Sequence, residues 1–236
     1  MKKFLGVHPN FYLYLTVFIN VAGFSMGFPM LPFYAETFNA TPWQIGLLAA
    51  SHAVAGFFAA PIIGRISDKL GRRPILIAGL LLGSLSLIFL GLAQSIFMLF
   101  VGGILHGLIA GAIMPTARAY MGDVTSKEHR VAAMGKIGAA MSAGLLLGPV
   151  ISSILISAVD IRFPFFVAAT VAFLNAIFVT IFLPESVREK TKKLVMREGL
   201  LNVFAIFGHI KGPQGLLFLV LFIWSFVMTN KQVTFA

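Results

Sequence analysis

Before Pro184, five long stretches of this sequence contain no Asp, Glu, Lys or Arg: Phe11 to Ala35, Thr37 to Gly64, Pro74 to Ala117, Ile137 to Val159 and Phe163 to Leu183. A helix rises about 1.5 Å per residue and the hydrocarbon core of a bilayer is about 30 Å thick, so each stretch can cross it once and the third can cross it twice. Soluble domains carry about a quarter charged residues. Here charged residues make up 11% and apolar residues 58%, with a mean hydropathy of +0.94. The solvent for most of the chain is therefore lipid, and the fold class is all-α: a six-helix transmembrane bundle followed by the start of a seventh helix.

The expected spans are 11–34, 43–64, 74–94, 96–119, 133–158 and 163–183, with a seventh opening near Leu216. Lys2 and Lys3 precede the first run as they would in a secretory signal, but that run exceeds the roughly 7–15 residues of a signal core and more spans follow, so it reads as a retained helix. Three parts result: a bundle over 1–183, a cytoplasmic linker over 184–213 and an incomplete second domain over 214–236. The linker holds Glu185, Arg188, Glu189, Lys190, Lys192 and Lys193, and then a short amphipathic pattern at Leu200, Leu201, Phe204 and Phe207 suited to a membrane surface.

The formal charge is +10, yet the basic residues sit only between apolar runs and form no face on a folded domain, which argues against a nucleic-acid partner. Of the 18 Lys and Arg residues, all but Arg162 and Lys231 fall at the N-terminus, in the segments after spans two, four and six, or at the span ends that border those segments. Cytoplasmic segments retain positive charge, so the chain is expected in the cell membrane with its N-terminus in the cytoplasm. There are no cysteines, which removes disulfides, thiolate chemistry and cysteine metal sites. No acid, nucleophile or metal-ligand constellation stands at a catalytic spacing, so neither an enzyme nor a cofactor is expected.

Between spans two and three lies GRISDKLGRRP, Gly64 to Pro74. Gly64 and Gly71 permit a tight turn and close backbone approach, and Asp68 is a lone carboxylate among Arg65, Lys69, Arg72 and Arg73. Such an acid can pair with Arg72 and cap a helix of a facing bundle, forming a latch; a basic loop serving topology alone is the plainer alternative. In span five Gly135, Gly144, Gly148 and Pro149 recur, and Ala140, Gly144, Gly148 and Ser152 stand four apart, a flat face for tight packing in lipid. Pro149 removes one backbone hydrogen bond and permits a bend. Span four repeats the design with Gly103, Gly107, Gly111 and Pro115.

The Gly64–Pro74 string resembles the loop signature of the major facilitator superfamily, matched here at Gly64, Asp68, Gly71, Arg72 and Arg73. The span-five pattern resembles the motif of the drug:proton antiporters of that superfamily, with Ser152 and Ser153 in place of two glycines. The GFPMLP segment of span one is similar to the first helix of drug-efflux members. The resemblance implies the N-terminal domain of a twelve-helix transporter built from two three-helix repeats, working with a C-terminal six-helix half. It also implies an arginine in span four, where this sequence has Gly103, so that residue's proton-coupling role does not carry over.

The eight acids all fall at membrane edges or in loops. His52 in span two and His106 in span four are thus the ionisable side chains at depth, and such groups are functional candidates because burying them in lipid is costly. A neutral imidazole bonded to a helix backbone or a hydroxyl is the alternative for each. Asn20, His52, His106 and Met114 are the candidate substrate or proton residues, since His106, Ala110 and Met114 share a helix face that the resemblance turns toward a central cavity. Phe24, Phe28, Met26 and Met30 could line a greasy pocket or simply pack. Spans three and six read as lipid-facing supports. The expected function is proton-coupled efflux of small amphipathic compounds; uniport or symport of a polar metabolite, and a truncated non-transporting half, are the alternatives.

Overall fold

The computed structural model describes residues 9–186. The amphipathic pattern at Leu200, the seventh span and all but the first residues of the expected linker lie outside the described residues. Within them every regular element is helical. Helix α1 (Pro9–Gly27) passes through a 3-10 turn (Phe28–Met30) into α2 (Leu31–Glu36), and the four following spans are α3 (Pro42–Leu70), α4 (Arg72–Gly91), α5 (Ile96–Val124) and α6 (Arg130–Ala158). Helix α7 (Phe163–Phe182) completes six helical segments long and apolar enough to cross a membrane.

Local chemistry sets the boundaries. Pro29 and Pro32 remove two backbone donors where the first span breaks. A reciprocal capping box between Thr41 and Gln44, with Pro42 in the first turn, starts α3. The Ser95 hydroxyl accepts from Met98 N at 3.4 Å and starts α5. Pro61, Pro115 and Pro149 lie inside unbroken helices, as a protein-lined bundle tolerates in lipid.

The segment from Gly64 to Pro74 is not a loop. Gly64 to Leu70 forms the last turns of α3, Arg72 opens α4, and Gly71 alone separates them, at φ 108°. Helices gain hydrogen bonds by continuing beyond the hydrocarbon, so the apolar run marks the membrane rather than the helix end.

Exchanging the first three spans for the last three turns the packing pattern into itself. Helix α3 packs on α5 as α6 packs on α1; α4 packs on α5 as α7 packs on α1; and α4 and α7 pack on each other. This is the arrangement of two three-helix repeats. Spans three and six are more buried than spans two and five. The most apolar window of α4 is 50% buried and that of α7 39%, against 17% for both α3 and α6. Each of α4 and α7 buries one face on the other, where Ser84 donates to Ala169 O at 2.8 Å, and leaves Leu81, Leu85, Leu174 and Ile177 exposed.

Two apolar cores fill opposite ends of the bundle. One gathers Leu13, Val17, Leu76, Tyr120, Ile137 and Val179. The other gathers Leu31, Tyr34, Leu48, Leu90, Leu99 and Phe165. Buried polar side chains stitch helices across them: Tyr34 donates to Ala93 O at 2.7 Å and Asn175 to Thr16 O at 3.0 Å. Such bonds are worth about 0.6 kcal/mol each in a membrane bundle.

Candidate functional site

Between the two cores lies a cavity of about 220 Å³ whose walls include Asn20, His52, His106 and Met114, all four of the sequence candidates for a substrate or proton site. Phe24 lines it too, with Leu and Ile side chains and Met141 of α6. Met26 is buried in the core nearer Leu31, and Phe28 stands behind the cavity wall, its ring centroid 4.4 Å from the His52 imidazole and 4.9 Å from the Phe24 ring. None of the acids among the described residues lines this cavity.

Three rings on its wall share an orientation. The centroids of Phe24, His52 and His106 stand 6.0, 6.0 and 5.7 Å apart, with interplanar angles of 28°, 8° and 20°. Hydrogen bonds fix both imidazoles. His52 Nδ1–H donates to Gly103 O at 3.2 Å, and a carbonyl can only accept. Ser86 Oγ lies 2.8 Å from both Gly83 O and His106 Nδ1, and the assignment that satisfies both contacts puts its hydrogen on Gly83 O and has it accept from His106 Nδ1–H. The backbone and hydroxyl partners of the plainer alternative are therefore present, on residues that nonetheless face the cavity.

Glycines set how closely the cavity helices approach. A Cβ on Gly107 would overlap the His52 carbonyl, and one on Gly111 would stand 2.9 Å from Gly56 Cα. Gly144 and Gly148 hold α6 against α1: a Cβ on Gly144 would meet Ala22 N and Phe18 O at 2.9 Å, and one on Gly148 would overlap Ser25. Ser25 itself donates to Gly144 O at 2.9 Å. Ser152 lies fully buried one turn on, and Pro149 is half-buried beside Gly148. Gly135 is exposed and has nothing within 4 Å of its Cβ position, so among the described residues it is not part of this face.

The second cluster sits at the α3–α4 junction. Arg72 forms an ion pair with Asp68 one turn back, and its Nε lies 3.1 Å from Asp123 Oδ2 near the end of α5. The Arg72 backbone N–H donates to Glu185 Oε1 at 2.9 Å, so a carboxylate from beyond α7 caps the start of α4. Arg73 donates to Thr180 O on α7, and Tyr120 to Pro184 O at 2.8 Å. Asp68 is thus not alone, since three carboxylates converge on Arg72. Gly71 is needed twice, for its positive φ and because a Cβ there would overlap the Glu185 carboxylate. Gly64 faces open space among the described residues, so the close approach expected there is not made within them.

Sequence reasoning missed Asp123, Glu185 and Ser86. The two acids carried a signal in lying at helix ends level with a cluster of cations; Ser86 carried none beyond being a hydroxyl in a Leu-rich span. Among the described residues no group of three or more His, Cys, Asp or Glu side chains could hold a metal ion.

Residues 13–235 match the family described as Major Facilitator Superfamily. The chain belongs to that superfamily. Two relatives in Bacillus subtilis (strain 168) are "Multidrug resistance protein 2", 32% identical over 79% of this chain and 47% of the relative, and "Multidrug resistance protein 1", 31% identical over 95% of this chain and 56% of the relative. This superfamily member therefore spans about half the length of the curated relatives it matches. Among solved structures it resembles the human organic anion transporter MFSD10 (TETRAN) with a TM-score of 0.70 at 21% identity, over 80% of this chain and 51% of that one, a likeness of fold.

Proposed function

We propose that this chain is the N-terminal half of a secondary transporter that exports small amphipathic organic compounds in exchange for protons. In this reading the N-terminus is cytoplasmic, residues 1–183 form the first domain, 184–213 the linker, and 214–236 open a second six-helix half that completes the path. The double length of the relatives supports the second half, and their names support drug-like substrates. Alternating access by rocking of the two halves would open the cavity to each side in turn.

The observation that carries the reading is the cavity between the two cores: apolar and aromatic walls, with two imidazoles as its ionisable groups. Apolar walls favour an amphipathic substrate over a polar metabolite, whose hydroxyls or charges would lose water without replacement. Imidazole, with an ordinary pKa of about 6.5, is the side chain suited to taking up and releasing a proton near neutrality. Asp68 acts as the gate residue, its pairing with Arg72 made in one state and broken in another, while Gly144, Gly148 and Pro149 keep the α1–α6 contact that the cycle needs.

The test is uptake of a lipophilic fluorescent dye into inverted vesicles carrying the full-length protein under an imposed pH gradient. Wild-type protein should accumulate dye in proportion to the gradient, and His106→Gln or His52→Gln should abolish that proportionality. Accumulation indifferent to the gradient refutes proton coupling. Wild-type ratios in both variants would move the proton carrier outside this cavity.

A further inference from the structure

Both cavity histidines are held in one tautomer. The Gly103 carbonyl takes the Nδ1 proton of His52, and the Ser86 hydroxyl, already spent on Gly83 O, takes that of His106. In the neutral ring the remaining nitrogen, Nε2, then carries a lone pair and no hydrogen. Both rings line the cavity, and no other side chain there is charged. The site in this half thus offers an incoming molecule two fixed acceptors, the Asn20 amide and the faces of Phe24 and its neighbours, and it offers no carboxylate.

We propose that a proton and an N–H group of the substrate compete for the same atoms, Nε2 of His52 and His106, so that the substrates exchanged for protons are aromatic compounds bearing an N–H donor, typically a protonated amine, rather than permanently charged quaternary cations. This rests on the efflux reading above. Once Nε2 is protonated it becomes a donor with a positive charge, which removes the acceptor for the substrate N–H and repels a cationic substrate; once the proton leaves, the acceptor returns. The exchange is balanced: the proton arrives on the Nε2 lone pair as the substrate's N–H leaves it, and no bond of the substrate is broken. The second histidine sharpens the competition, because its ring centroid lies 5.7 Å from the first. At that distance one imidazolium disfavours a second, so one proton suffices to clear the site. A carboxylate in the same place would bind any cation by charge alone; a lone pair fixed in one tautomer discriminates by the presence of a hydrogen.

Two probes separate these cases: 1-(naphthalen-1-yl)-N,N-dimethylmethanamine, protonated at neutral pH, and its N,N,N-trimethyl analogue, which has the same ring and charge but no N–H. Gradient-driven uptake of each is measured in inverted vesicles with the full-length protein. The protonated amine should be taken up with about tenfold or greater preference, the usual loss when a charge-assisted hydrogen bond goes unmade. In His106→Leu and His52→Leu, whose gradient-driven uptake is itself expected to fail, the preference is read as the ratio of the two probes' affinities for the purified full-length protein, and it should collapse toward one; because it is a ratio, reduced folding of either variant cancels. Ser86→Ala, which leaves both imidazoles in place but releases the His106 tautomer, should lower the ratio without abolishing uptake. Equal or preferred uptake of the quaternary probe by wild-type protein overturns the proposal while leaving proton-driven efflux standing. An undiminished ratio in both histidine variants also overturns it. Gradient-driven uptake of neither probe, together with none of the lipophilic dye, overturns the efflux reading and this proposal with it.

Discussion

Two glycines on one helix should respond to alanine with opposite signs. Gly138 and Gly144 both lie in α6, and in either place a Gly→Ala change favours the helix by about 1 kcal/mol through the lost freedom of the unfolded chain. At Gly138 nothing lies within 4 Å of the new Cβ, so the gain is kept whole. At Gly144 the Cβ would stand 2.9 Å from Ala22 N and Phe18 O and 3.0 Å from Val21 Cβ, where contacts between unbonded carbon and its neighbours ordinarily begin near 3.5 Å. Two of those three atoms are backbone, so α1 must retreat by roughly half an ångström, a displacement of the overpacking kind that costs about 1–3 kcal/mol. The same retreat stretches the bond from Ser25 to Gly144 O, worth about 0.6 kcal/mol. Gly144→Ala is therefore destabilised by about 0.6–2.6 kcal/mol and Gly138→Ala stabilised by about 1 kcal/mol. Unfolding of the purified chain in lipid bicelles, followed by steric trapping, resolves differences of this size. A Gly144→Ala variant as stable as wild type, or the two variants shifting together, would refute the argument.

Asp68→Asn removes a carboxylate that is 52% exposed, so its ion pair with Arg72 contributes no more than about 1 kcal/mol; the full-length variant should reach the membrane in normal amount yet fail to transport, and normal transport would show that Asp68 is no gate. Gly71→Ala should cost about 1–3 kcal/mol in unfolding free energy, since it forces a side chain to φ 108° and onto Glu185; an unchanged unfolding transition would mean that the α3–α4 junction relaxes freely.

The six spans were legible because charge reports the membrane directly, and the structure places helices on all six expected spans. The helix ends were not, because a helix emerging into water keeps its hydrogen bonds, as α3 does through Arg65, Asp68 and Lys69 to Leu70. His52 and His106 could be picked out as ionisable groups at depth, whereas the atoms that orient them could not. The Gly103 carbonyl is reached from His52 across 51 positions, and backbone carbonyls leave no trace in a sequence. The same holds at Arg72, whose cap comes from Glu185, 113 positions away. Small residues at fours predicted a contact face on α6 and found one at Gly144 and Gly148, but spacing does not say which glycine of a series meets a neighbour: Gly135 and Gly64 meet none among the described residues.

The glycine seams also fix how closely these helices approach. Gly107 and Gly111 of α5 press on His52 and Gly56 of α3, and Gly144 and Gly148 of α6 press on Ala22 and Ser25 of α1. The repeat symmetry relates these seams to each other, yet α5 supplies the glycines in one and α6 in the other. Backbone against backbone leaves no flexible side chain to absorb sliding. A Cβ at Gly107 would overlap the His52 carbonyl, and one at Gly144 would stand 2.9 Å from Ala22 N, so neither place accepts a larger residue without moving the facing helix. His52 sits on such a seam, its carbonyl under Gly107 and its ring bonded to Gly103. The position of its Nε2 relative to Phe24 and His106 is thus set by glycine hydrogens rather than by adjustable side chains, and any larger residue at Gly107 must displace the histidine with the helix that bears it.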